Sequence, residues 1–121
     1  ATPSTHPPLV VTVGGAGSLH LPGGRRFWQS SAFPTRTLPR GRAHAELRDH
    51  LEAGTACGHW AYLIPPPAFV PEGQATGSYR VWRPSEDESE FTHRSIGYAD
   101  FALALADAVE QGWTGTCLVS T

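Results

Sequence analysis

The chain has 121 residues, 40% of them hydrophobic, with a formal net charge of −2; this is enough for one domain around one core. The near-neutral balance gives no electrostatic footprint for nucleic acid or for an anionic membrane surface. The chain contains no Lys, which excludes a lysine base or nucleophile, and its 2 cysteines, Cys57 and Cys117, are too few for a disulfide framework. No apolar run approaches the roughly 18 residues of a membrane span. The start shows neither a basic n-region nor an apolar h-region, so a cytoplasmic protein is expected.

Ala1–Pro8 is small, polar and Pro-rich and reads as a disordered lead-in; residues 9–121 read as a single domain. Leu9–Val13 (LVVTV) is a continuous β-branched run, the pattern of a buried strand. Gly14–Gly17 follows at once. A strand ending in glycines resembles the start of a dinucleotide loop, but Leu19–Gly24 cannot form the helix which that motif requires, so a tight strand-to-loop exit is expected. Arg25–Arg40 is irregular, and its Phe27, Trp28 and Phe33 are expected to fold onto the core or to wall a pocket. From Gly41 to Ala53 the apolar Ala43, Leu47 and Leu51 recur at four-residue spacing on one helical face. Gly54 is placed to end that helix in the left-handed conformation.

The organising stretch is Gly58–Val70 (GHWAYLIPPPAFV). The run Trp60–Ile64 is a buried strand that stops at Pro65, Pro66 and Pro67, because proline has no N–H for a ladder. Strand, helix and strand make a crossover unit, with parallel pairing of Leu9–Val13 and Trp60–Ile64 expected. In open α/β sheets ligands bind at the carboxyl edge, here the proline turn. Thr76–Trp82 reads as a short alternating strand, Pro84–Glu90 as an acidic solvated loop, and Phe91–Arg94 as a further short strand. Gly97–Gln111 is the clearest helix, with Gly97 as its cap and Phe101, Ala102, Leu105, Ala108 and Val109 on its apolar side. Asp100 falls in its first turn, where the helix dipole favours an anion. Thr116–Ser120 is the last strand.

In collinear order these pieces resemble the C-terminal half of the atypical short-chain dehydrogenase/reductases, the NAD(P)-binding, NmrA-like group related to nucleotide-sugar epimerases. Val13–Leu19 is similar to that family's fourth strand and its glycine exit, and Ala32–Pro34 to its active-site loop. Trp60–Phe69 (WAYLIPPPAF) resembles W-T-x-L-x-P-A-x-F, and Gly73–Tyr79 (GQATGSY) resembles G-x-R-T-G-x-Y. Ile96–Ala106 resembles the I-S-Y-x-D-x-A helix start. The resemblance implies a truncated Rossmann-like half-domain, with a mostly parallel sheet of four or five strands and two main helices. The Gly-rich half that would hold the adenine end and the pyrophosphate of a cofactor is not in this sequence. Where relatives place Tyr and Lys after the active-site loop, this chain has Thr37 and Leu38. The resemblance therefore implies that no cofactor is used, with NAD(P) bound only if a missing N-terminal half is supplied. It also implies that Leu9–Val13 is a bare edge covered either by a second copy, giving a homodimer, or by a partner chain.

His20 and Arg25 follow the glycine exit. Thr37, Arg36 and Arg40 occupy the loop where relatives keep acid–base groups, and an arginine there can hold a carboxylate or phosphate. Tyr62 lies within the central strand, on the face of Trp60, and His93 and Tyr98 flank the start of the last helix. His20, Thr37, Tyr62, His93 and Tyr98 are thus the candidates for acid–base work. Arg25, Phe27, Trp28, Phe33, Arg36, Arg40, Pro66 and Phe69 are the candidates for substrate binding. Glu46 and His50 alone are too few to hold a metal, and Ser18, Ser30 and Ser31 lack a nucleophile elbow. The expected function is a cofactor-independent cyclisation, dehydration or isomerisation of a small hydrophobic or polycyclic substrate, by positioning and one acid–base group. The alternatives are a non-catalytic subunit that completes another enzyme, and a fragment of an NAD(P)H-dependent reductase or epimerase.

Overall fold

A computed structural model describes residues 9–54 and 59–121. The lead-in and Cys57 lie outside the described residues. The strands are β1 (Leu9–Val13), β2 (His20–Leu21), β3 (Arg25–Arg26), β4 (His59–Ile64), β5 (Ala68–Val70), β6 (Arg80–Trp82), β7 (Ser95–Gly97) and β8 (Gly115–Ser120). The two helices are α1 (Leu38–Glu52) and α2 (Tyr98–Gln111). A four-stranded sheet runs β1-β4-β8-β6. β1 is parallel to β4, with Val11 opposite Ala61, and β4 is parallel to β8, with Leu63 opposite Cys117. β6 closes the far edge antiparallel to β8. Two short ladders, β2 with β3 and β5 with β7, sit outside this sheet.

The sheet carries a core on each face because β4 is buried from Ala61 to Ile64 and its side chains alternate. Ala61 and Leu63 pack with Ile96, Val119 and the α2 residues Phe101, Ala104 and Ala108. Tyr62 and Ile64 pack on the other face with Leu19, Phe27, Phe91 and Leu118. The mostly parallel sheet with two main helices is the Rossmann-like arrangement expected from the sequence.

Several details differ from those expectations. β1 is not buried: Val10 is 55% exposed, because among the described residues the strand has a neighbour on one side only. The buried side of α1 is Gly41, Ala45 and Arg48, whereas Leu47 is exposed and Ala43 faces outward. The helical period is present, but small residues and one arginine carry it. A Cβ built at Gly17 would lie 2.6 Å from the Gly41 Cα, so backbone meets backbone where α1 crosses the glycine exit. On α2 the buried residues are Asp100, Phe101, Ala104 and Ala108, while Ala102 and Val109 face solvent. The expected strand over 91–94 is a 3-10 turn, Ser89–His93, and pairing begins at Ser95. The expected strand over 76–82 shortens to Arg80–Trp82 for a local reason. Asp100 accepts the backbone N–H groups of Thr76 and Gly77, both at 3.0 Å, and the Thr76 hydroxyl at 2.8 Å, so those residues serve α2 rather than a ladder.

The acidic loop is not wholly solvated either. Glu88 is buried, and Arg48 reaches it from α1 with Nη1 at 2.8 Å from Oε1 and Nη2 at 2.9 Å from Oε2. Glu88 also accepts the backbone N–H of His20 at 2.8 Å and of Ser85 at 3.0 Å. A carboxylate held by this many donors stays ionised in a dry setting: burial pushes it up, but the bonds from Arg48 and the His20 backbone prevail and its pKa is lowered.

Candidate functional site

The carboxyl ends of β1 and β4 diverge into Gly14–Gly15 on one side and Pro65–Pro67 on the other. Between them lies a cavity of about 380 Å³. Phe33 and Thr37 line it from the segment leading into α1, Arg40 and His44 from α1 itself, and Phe69 and Tyr98 from beyond the proline turn. The sequence explains the opening. β1 loses its partner's ladder where β4 meets prolines that cannot donate, and the last bond across the gap is Gly14 N–H to the Leu63 carbonyl at 2.6 Å. The aromatic wall is ordered by contacts between rings: Phe69 lies 4.3 Å from Tyr98 and 5.0 Å from Phe101, centroid to centroid. Those distances place Phe69 between the cavity and the α2 core.

Of the residues singled out from sequence, the structure gathers Thr37, Tyr98, Phe33, Arg40, Pro66 and Phe69 around this cavity. The others are elsewhere. His20 lies in β2 beside the Arg48–Glu88 pair, on a larger hollow of about 790 Å³. Arg25 is exposed and donates to the Gln29 carbonyl at 3.1 Å. Trp28 sits with Arg25 on a groove of about 650 Å³. Phe27 belongs to the core, edge-on to Phe33 at 5.6 Å. Arg36 is exposed in the turn Thr35–Thr37, and His93 is exposed at the end of the turn Ser89–His93. His20, His93, Arg25 and Arg36 are thus not among the residues that line the cavity. Arg48 lines the 790 Å³ hollow, and its guanidinium is already bonded to Glu52, to the Ser18 carbonyl and to Glu88. The smaller cavity is the candidate site, by its place in the fold.

Tyr62 is fully buried beneath this cavity. Burial is the main cause that pushes its hydroxyl pKa up. The hydroxyl donates to the His44 carbonyl at 3.2 Å and lies 3.0 Å from His44 Nδ1. His44 is the residue that sequence reasoning missed. Its only signal was its place four residues before Arg48 on a helix whose inner face was assigned to Ala43, Leu47 and Leu51. Burial, and then the charge of Arg40, lower its pKa from the ordinary imidazole value. Gly15 is what lets the ring lie there, since a Cβ at that position would be 2.4 Å from His44 Cδ2. Among the described residues no group of three or more His, Cys, Asp and Glu side chains is arranged to hold a metal, and no helix is long and apolar enough to cross a membrane.

No family model matches the chain. It is 33% identical over 103 residues to the uncharacterized protein YwnB of Bacillus subtilis (strain 168), which covers 84% of this chain and 48% of that protein. Solved structures share the fold. One from Streptococcus pneumoniae TIGR4, described as a "putative NADH-flavin reductase", is 28% identical with a TM-score of 0.76, covering 93% of this chain and 55% of that one. A "putative epimerase" from Bacteroides thetaiotaomicron is 25% identical with a TM-score of 0.77, covering 93% and 52%. A "putative exported protein" from Burkholderia pseudomallei is 26% identical with a TM-score of 0.75, covering 93% and 54%. The chain thus spans about half the length of the proteins it matches. The expectation of a cofactor-free protein is corrected by this likeness, because the fold is shared with a protein described as an NADH-flavin reductase. Coarsely, the fold is that of NAD(P)-binding, reductase- and epimerase-like Rossmann proteins, as the sequence motifs implied.

Proposed function

We propose that this chain forms the nicotinamide- and substrate-facing part of an NAD(P)H-dependent reductase or epimerase-like protein. The observation that carries this reading is the aromatic-walled cavity at the carboxyl ends of β1 and β4, in a fold shared over 93% of the chain with the pneumococcal and Bacteroides structures. That likeness favours the reductase or epimerase alternative over cyclisation or dehydration.

The residues present fit one end of a nicotinamide cofactor. A cavity of about 380 Å³ is near the lower end of the roughly 300–1,000 Å³ of small-molecule pockets, room for a ring and its sugar rather than for a dinucleotide. Phe69 and Tyr98 offer flat apolar surfaces to a ring, and Arg40 offers a cation to a phosphate. Gly14 and Gly15 do not form a phosphate cradle. A Cβ at Gly14 would meet the Tyr62 ring at 2.6 Å and one at Gly15 would meet His44 at 2.4 Å, so both glycines make room for protein. When bound, the cofactor supplies a hydride donor or acceptor. The chain's own part is to orient an aromatic ring against Phe69, hold an anion near Arg40 and exclude water with the proline turn.

On the same reading, the open edge of β1 takes a further strand, from a second copy or from a chain carrying the rest of the fold.

Calorimetric titration with NADH, NADPH and reduced nicotinamide mononucleotide tests the proposal. The mononucleotide is expected to bind nearly as well as the dinucleotides. Phe69→Ala is expected to weaken it about tenfold, the worth of one good aromatic contact. Absence of binding of all three at millimolar concentration would overturn the reading.

A further inference from the structure

The geometry points to His44 as the proton acceptor of this cavity, with Tyr62 as the residue that positions it; the inference rests on the cavity being the substrate site. Four observations carry it. First, His44 lines the cavity from α1, opposite Phe69 and Tyr98. Second, its Nδ1 is engaged from below. Tyr62 OH has one proton, which we assign to the His44 carbonyl, an acceptor only, at 3.2 Å. The hydroxyl oxygen, 3.0 Å from Nδ1, is then free to accept Nδ1–H. This arrangement leaves the lone pair on Nε2. Third, Nε2 has no hydrogen bond to another described residue. Fourth, the ring is packed on two sides: a Cβ at Gly15 would lie 2.4 Å from its Cδ2 and 2.6 Å from its Cγ, and the buried Tyr62 ring lies 6.4 Å away, centroid to centroid.

The surroundings suit a base. The only charged residue among the described lining of the cavity is Arg40, on the same helix; β4 contributes Tyr62 from beneath, and neither the glycine exit nor the proline turn brings a carboxylate. With a cation as the charged neighbour, and with burial, the neutral imidazole is favoured. A hydroxyl of a bound ligand placed at Nε2 would give up its proton to that nitrogen, leaving an alkoxide and an imidazolium whose Nδ1–H stays bonded to Tyr62. The reverse transfer returns the same proton, so charge and atoms balance without a further reactant. The class of ligand is a small hydroxy or carbonyl compound with a flat apolar body, matched to Phe69 and Tyr98. This assigns to α1 the acid–base work that the Thr37 and Leu38 positions cannot do.

The test is a long-range nitrogen–proton NMR spectrum of the whole chain, followed over pH. His44 is expected to be protonated at Nδ1 and bare at Nε2 at neutral pH, and to titrate below ordinary imidazole. Tyr62→Phe is expected to shift the proton toward Nε2, a change that a purely packing role for Tyr62 would not produce. Should Tyr62→Phe fail to fold, the wild-type tautomer decides by itself. Diethyl pyrocarbonate, which acylates an unprotonated ring nitrogen, is expected to modify His44 at Nε2, and nicotinamide mononucleotide to slow that reaction several-fold. An Nε2–H tautomer in the wild type, or a His44 inert to the reagent while His93 reacts, would overturn the assignment. Acylation of His44 that the mononucleotide leaves unchanged, with no heat in calorimetry, would sink the nicotinamide reading while leaving His44 standing as the base.

Discussion

Arg48 and Glu88 meet as a buried two-pronged ion pair across 40 residues of sequence, at 2.8 and 2.9 Å, with both side chains 1% exposed. Arg48 also donates to the Ser18 carbonyl at 3.0 Å and, through Nε, to Glu52 at 3.0 Å. One guanidinium thus ties α1 to the glycine exit and to the acidic loop. Removing one partner leaves an uncompensated buried charge, so Arg48→Met is expected to destabilise by about 3–5 kcal/mol. The double variant Arg48→Met/Glu88→Leu is expected to recover much of that loss. Denaturant unfolding of the three chains measures it, and a double variant no better than the single one would refute the account.

Acid should weaken the fold in two steps. Burial, and then the charges of neighbouring arginines, lower the pKa values of His20 and His44, so the folded chain refuses protons that the unfolded chain accepts. Stability is therefore fully present above about 6.5, the ordinary imidazole value, and falls as pH drops toward the lower folded values. Glu88 adds a second step, because its folded carboxyl is held below the ordinary 4.5. Its contribution is present above that value and is lost as pH falls through the folded one. Melting curves from pH 8 to pH 3 should show both declines, and His44→Gln should soften the first without touching the second.

Gly17→Ala is expected to cost about 1–3 kcal/mol by overpacking. The obstacle at 2.6 Å is the Gly41 Cα, which is backbone and cannot swing aside. By contrast, Gly54 has open space around its Cβ position but a φ of +78°, so Gly54→Ala is expected to cost about 1 kcal/mol through backbone strain alone. Equal losses for the two would mean that close approach of α1 is not what Gly17 provides.

The β1 edge should be sticky. Val10 is 55% and Val13 43% exposed on a strand paired, among the described residues, only with β4. Light scattering of the chain is expected to give a mass above its 13.0 kDa, falling to the monomer in Val10→Lys, because a charge on an edge strand blocks further pairing. A monodisperse monomer at high concentration in the unaltered chain would refute the assigned edge.

What the sequence by itself determined is where Trp60–Ile64 ends and where α2 runs, both set by near neighbours. Trp60–Ile64 had to end at Pro65 because proline cannot donate, α2 had to run from Gly97 to Gly112 because its apolar period and its terminal glycines agree, and the carboxyl edge followed from the order of these pieces. Six of the residues chosen from the sequence do meet at that edge, since Phe33 and Thr37 precede α1 and Arg40 lies in its first turn, while Pro66, Phe69 and Tyr98 follow β4. What only the tertiary structure decided is which side of α1 faces inward. Hydropathy points to Leu47, but the chain buries Arg48, because Glu88 from a loop 40 residues away neutralises it and Gly17 and Gly41 let the helix come close. That same rotation turns His44 toward the cavity and onto Tyr62. A charge becomes buriable, and a histidine becomes a base, only through partners distant in sequence, and local periodicity holds no record of them.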